Sequence, residues 1–217
     1  MKPSKSMREM FQLSFGEELG NAISHGALAA IYLLITPIVS IYSYNKGGYV
    51  RGIGVGVYMI CIFLMLLVSC LYHSMEFGTQ HKYVFRKLDH IAILLAIAGS
   101  YTPVALCVFE GYVTIIVLLV QWLSVFGGIL LKSISKKAHP ILSCSIYVTM
   151  GWVAIIFLPA LIKAGSPQFL LWMLAGGLLY TIGIVFYAQK KSYFHFIWHI
   201  FIDLACICHF IGIVFMM

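Results

Sequence analysis

Seven long apolar runs, separated by short polar stretches, account for most of the chain: roughly residues 23–43, 53–74, 89–109, 112–131, 140–162, 168–188 and 194–215. Each is close to the 20 or so residues that an α-helix needs to cross the hydrocarbon core of a bilayer. None alternates polar and apolar positions like a barrel strand. A backbone in lipid must satisfy its own hydrogen bonds, so the pattern predicts an all-α membrane protein, a bundle of seven transmembrane helices. Proline falls inside three of the runs, as Pro37, Pro103 and Pro159, and bundled membrane helices tolerate that. Residues 1–20 break the pattern. They are polar and lack the short apolar core and cleavage site of a signal peptide. Met10, Phe11, Phe15 and Leu19 fall roughly on one helical face, which predicts a short helix lying on the membrane surface. The expected organisation is therefore an N-terminal cytoplasmic segment, 1–20, and a transmembrane domain, 21–217.

Composition narrows the class further. Of 217 residues 62% are hydrophobic and only 10% charged, with mean hydropathy +0.98. A soluble domain of this size has no interior large enough for so much apolar side chain, whereas a multi-pass membrane protein has lipid as its solvent. The six cysteines all lie within apolar stretches, which argues against a disulfide framework. Lysine and arginine set the direction. One side of the membrane holds Lys2, Lys5, Arg8, Lys82, Arg86, Lys87, Lys132, Lys136, Lys137, Lys190 and Lys191; the other holds Lys46, Arg51 and Lys163. The positive-inside bias predicts a cytoplasmic N-terminus and an external C-terminus. The net charge of +7 then needs no nucleic acid: the basic loops face anionic lipid headgroups. The expected location is a cell membrane, the bacterial inner membrane, with membrane lipid as partner.

On that topology the unusual polar residues converge at one depth. His25 opens the first run, "SCLYH" (Ser69–His73) ends the second, "LDH" brings Asp89 and His90 to the start of the third, and "HFIWH" (His195–His199) opens the seventh. All four places lie just inside the inner leaflet. Residues four apart share a helical face, so His195 and His199 can bind one metal ion, with His73 the natural third ligand. An open fourth position is the arrangement of catalytic zinc. Asp89 then either holds a water on the metal or binds directly. Simpler roles exist for each residue. An isolated histidine such as His25, His90 or His209 can sit at the interface, Ser69 can bond back to its own helix carbonyl, and Asp89 can cap the third helix. His81 and His139 lie in basic loops and are expected to be solvated. Ionisable groups inside spans are costly and mostly functional, which favours the metal reading for the His195/His199 pair.

The set Ser69, His73, Asp89, His195 and His199, together with "EELGNAISHG" (Glu17–Gly26) and "RKLDHIAILLAIAGSYTPVAL" (Arg86–Leu106), resembles the progestin and adipoQ receptor family over nearly the whole chain. The bacterial branch of that family is called hemolysin III. The resemblance implies a seven-helix bundle with a zinc ion on His73, His195 and His199. It implies that Asp89 contacts the water on the zinc and that Ser69 supports the site from behind. Adiponectin-receptor relatives are linked to ceramide hydrolysis, and the bacterial members, by name, to lysis of red cells. Three functions follow as expectations: a zinc-dependent lipid amide or ester hydrolase, a non-catalytic sensor stapled by zinc, and, third, a cytolytic protein. Asp203 departs from the family pattern. It shares the face of His195 and His199 one turn deeper, and is expected either to bond His199 or to face a water cavity.

Overall fold

The structure, a computed structural model, describes residues 12–134 and 140–217. Met10, Phe11, Lys136, Lys137 and His139 lie outside the described residues. Every regular element among those described is helical: α1 (Phe15–His73), α2 (Gln80–Cys107), α3 (Tyr112–Ile134), α4 (Pro140–Trp152), a 3₁₀ turn (Val153–Ile155), α5 (Leu158–Ala164), α6 (Pro167–Tyr187), α7 (Phe194–Ile211) and a closing π turn (Gly212–Met216). Five helices are long and apolar enough to cross a membrane, and a sixth crossing follows if the bent pair α4/α5 is one span.

At 59 residues α1 is about twice the length one crossing needs. Its backbone is non-helical at Gly47 and at Gly48, where φ is 68° and ψ −163°. That region is open to glycine alone, so the chain folds back there and α1 becomes two limbs, residues 15–46 and 49–73. Space is not the constraint at Gly48, because a Cβ would meet nothing within 4 Å. Gly48→Val should therefore lower thermal stability in detergent by about 1–3 kcal/mol through backbone strain alone. Gly127→Val, at an equally open site with ordinary dihedrals, should be nearly silent. Equal behaviour of the two would count against the backbone account.

The start of α1 is strongly specified. Ser14 accepts a hydrogen bond from the Glu17 N–H at 3.3 Å, and the Glu17 carboxylate accepts from the Ser14 N–H at 3.2 Å. This reciprocal box satisfies donors that a helix start leaves free. Glu17 also accepts the backbone N–H of Tyr193, the left-handed residue that begins α7. One carboxylate thus joins the first turns of α1 and α7. Helix starts at Phe15 and runs through residue 20 without a break.

The second limb of α1 is the centre of the bundle. Val55, Tyr58, Met59, Ile62 and Leu66 are essentially inaccessible, and its main partner is α2. By contrast α3 shows Ile115, Leu119, Leu123, Phe126 and Leu130 outward, a stripe at helical spacing that lipid would cover. Pro37 and Pro103 are tolerated inside their helices as expected, but Pro159 is not. It lacks an N–H and its ring clashes with a carbonyl one turn back, so α4 gives way to the 3₁₀ turn and α5 leaves at 51°. Tyr101 of α2 repairs the break: its hydroxyl donates to the Gly151 carbonyl at 2.6 Å and accepts from the Ala154 N–H at 2.9 Å. Backbone groups freed inside a bilayer need such a partner. All six cysteines are free thiols.

Candidate metal centre

The last residue of α1, His73, meets the first turns of α7, which carry His195 and His199. One ligand atom from each of the three lies within 4.8 Å of the others. The ring centroids of His73 are 5.2 Å from His195 and 4.7 Å from His199. The two Nε2 atoms of His195 and His199 are 3.3 Å apart. Two nitrogens bound tetrahedrally at zinc distances stand about 3.3 Å apart, so this pair already has the spacing of shared ligands. His199 is fully buried and His73 nearly so.

The donor chemistry fits a cation as well. His73 Nδ1 is 2.6 Å from Glu18 Oε2. An acceptor that close fixes the proton on Nδ1 and leaves Nε2 with its lone pair. That Nε2 is buried and has no hydrogen-bond partner, a situation costing about 1–3 kcal/mol for a polar group taken out of water. A metal ion relieves it. Glu18 in turn accepts from Lys82 Nζ at 2.7 Å. Lys82 is 1% exposed and its ammonium stands 4.5 Å from the centre of the Tyr72 ring. The line Lys82–Glu18–His73 is a carboxylate–histidine arrangement of the kind that orients metal ligands. Trp198 and Tyr187 pack around His195 on the other side.

The remaining expected residues fall as follows. Ser69, one turn before His73 and buried, is a hydrogen-bond partner of Asp89. Asp89 is also buried but stands outside the group of three whose ligand atoms converge. The capping role considered for Asp89 is excluded, because α2 begins at Gln80 with Thr79 as its cap. Helix starts here nine residues earlier than the apolar run, since charged residues on the aqueous side propagate a helix readily. His25 is not an interfacial histidine. It is 3% exposed and its ring lies 3.9 Å from that of His199. Asp203 approaches His25 rather than His199, with Oδ1 3.5 Å from His25 Nε2. His90 pairs with Tyr147, and His209 with the Met173 carbonyl; neither joins the cluster. His81 is exposed as expected, but it lies in the first turn of α2 and not in a loop.

The sequence reading missed Glu18, Asn21 and Lys82. A signal for the first two was present: Glu18, Asn21 and His25 recur at i, i+3 and i+7, a polar stripe on one face of an apolar helix. The stripe faces His73, with Asn21 Nδ2 3.4 Å from its Nδ1. Nothing in the local sequence distinguishes Lys82 from the solvated lysines around it.

Comparison with known proteins adds the relatives. The family model described as "Haemolysin-III related" matches residues 13–210. Hemolysin-3 of Bacillus cereus is 34% identical over 187 residues, covering 86% of this chain and 85% of the relative. The hemolysin-3 homolog of Bacillus subtilis (strain 168) is 33% identical, covering 86% and 87%. The human monocyte to macrophage differentiation factor is 26% identical over 165 residues, covering 72% and 67%. With its run of apolar helices and a family match over nearly its full length, the chain is a multi-pass cell-membrane protein, and it belongs to the haemolysin-III-related family.

Proposed function

We propose that this protein is a zinc-dependent hydrolase of a membrane lipid amide or ester, working near the cytoplasmic face and serving membrane-lipid homeostasis. The observation that carries the reading is three imidazoles from two helices converging within 4.8 Å, beside a buried Ser69–Asp89 pair. The two limbs of α1 and the bent α4/α5 pair bring the crossings to seven. The lysine and arginine bias supports a cytoplasmic N-terminus and an external C-terminus. His73, His195 and His199 would hold the metal. Bound there, zinc supplies Lewis-acid polarisation of a carbonyl and acidifies a water. Asp89 accepts the proton of the attacking water at its carboxylate. Ser69 holds that carboxylate in place, and Glu18 keeps the lone pair of His73 directed away from itself. The lipid reaches the site sideways, between helices.

The test is turnover of lipid amides and esters by metal-loaded protein in nanodiscs, wild type against Asp89→Asn. Wild type should hydrolyse a member of the panel. Asp89→Asn should lose roughly 10²–10⁴-fold in kcat, the scale of general-base catalysis, while keeping its zinc. Zinc-loaded wild type that stays inert across the panel, run beside an active membrane ceramidase, would sink the hydrolase. A site that only staples the bundle then remains. The names of the Bacillus relatives favour a second reading, lysis of target cells. The same variant separates its two routes: lysis through lipid products disappears in Asp89→Asn, and direct lysis persists.

A further inference from the structure

Arg86 and Lys132 have no part in the scheme above, yet the fold brings them together beside it. Helices α2 and α4 run side by side in one direction: His90 of α2 meets Tyr147 of α4, with Nδ1 3.1 Å from the hydroxyl, and further along Tyr101 meets Gly151. Arg86 precedes His90 by one turn, and Ser143 precedes Tyr147 by one turn. Arg86 and Ser143 therefore stand at one level, toward the starts of both helices. Ser143 is buried and accepts from Nζ of Lys132, in the last turn of α3. Two cations thus reach one place, and each is in electrostatic contact with the other and with Asp89. Both are half-buried, and among the described residues no carboxylate lies within ion-pair distance of either. Tyr187 joins this place to the metal centre. Its ring is 5.8 Å from that of His195, and the residue is also in electrostatic contact with Arg86 and Asp89.

Half-buried like charges repel, and water and salt screen them less than at an open surface. The single carboxylate near them, Asp89, already serves Ser69, which leaves positive charge in excess. An anion seated between the two cations relieves the repulsion. Arginine offers phosphate a two-pronged fork and lysine a point charge. Asp89 lies three residues beyond Arg86, about 4.5 Å along the helix axis, a span comparable to the glycerol that separates a phosphate from its acyl ester. We infer that Arg86 and Lys132 form the headgroup subsite of the three-histidine centre, selecting a lipid with a net-negative phosphate and seating it so that its acyl bond points inward to Asp89. The inference rests on the proposal that the centre acts on lipid, and it names the class of that lipid: an anionic phospholipid.

The probes are dihexyl-ether glycerophosphate, its phosphocholine counterpart and inorganic phosphate, each titrated calorimetrically into the full chain in a non-ionic detergent. Ether links cannot be hydrolysed, so binding is read without turnover. Wild type should bind the ether phosphate about 10–100-fold more tightly than the phosphocholine, the worth of charge-assisted hydrogen bonds. Arg86→Gln should abolish that preference, and Lys132→Gln should reduce it in the same direction. Lys190→Gln removes the same unit of charge from an exposed residue at the same end of the bundle, and should change the affinity less than about twofold, the small effect of a solvated, screened charge. An unchanged preference in Arg86→Gln overturns the inference. So does an equal fall in Lys190→Gln, which would mean a diffuse positive field and not a site. Inorganic phosphate bound as tightly as the ether phosphate overturns the assignment to lipid. If Arg86→Gln does not fold, Lys132→Gln decides in its place. Failure of the hydrolase leaves the binding result standing, whereas hydrolysis with no preference for the anionic lipid removes only this inference.

Discussion

Replacing His199 with alanine should strip the metal from the purified protein. His199 is fully buried, its Nε2 lies 3.3 Å from that of His195, and His73 completes the group. Loss of a residue that merely orients a ligand costs 10–100-fold in metal affinity, so loss of a ligand should exceed about 100-fold. The measurement is zinc content after passage over a sizing column, with His209→Ala as control. His209 is on the same helix but pairs with the Met173 carbonyl, and its variant should keep one zinc per chain. Thermal unfolding gives an independent readout. A ligand at 100 times its Kd stabilises the folded state by about 2.7 kcal/mol, so a chelator should lower the wild-type Tm and leave His199→Ala unmoved. Full zinc occupancy in His199→Ala would place the metal elsewhere.

Glu18→Ala should be the most destabilising of the substitutions around the site. Glu18 holds both His73 Nδ1, at 2.6 Å, and Lys82 Nζ, at 2.7 Å. Without it the Lys82 ammonium stays 1% exposed with its carboxylate gone. Breaking a buried ion pair from one side costs about 3–5 kcal/mol, and the Tyr72 face 4.5 Å away holds the loss toward the lower figure. Adding Lys82→Met removes the stranded charge and should restore most of the stability. It should not restore the metal. His73 still lacks the acceptor that sets its tautomer, so zinc affinity in the double variant should remain about 10–100-fold below wild type. Recovery of stability and affinity together would mean that Glu18 serves packing alone. Titration calorimetry and chemical unfolding on the same three proteins separate the two effects.

Much of the helix plan was legible in the sequence. Apolar runs of membrane-crossing length have one economical backbone solution, so every run is helical in the structure, though α1 and α2 begin well before their runs. Three prolines were expected to be tolerated alike; Pro37 and Pro103 are, whereas the chain breaks beside Pro159. Asp89 shows where boundaries went astray. The apolar run begins there, but the helix begins at Gln80, because hydropathy marks the edge of lipid and not the edge of hydrogen bonding. Gly47 and Gly48 were visible as residues, but the fold-back they permit depends on dihedrals that the sequence does not print.

The candidate site divides along the same line. The sequence by itself determined the class of protein and a short set of histidines. Periodicity places His195 and His199 on one face, and the cost of burying ionisable groups in lipid marks them as functional. Only the tertiary structure decided what stands behind them. Glu18, Lys82, His25 and Asp203 lie 55 residues or more from at least one group they serve, and a contact across that separation leaves no local pattern. Asp203 shows the physical reason most clearly. Helical spacing put it within reach of His199, but the first limb of α1 brings His25 closer, and a carboxylate pairs with the donor that packing delivers.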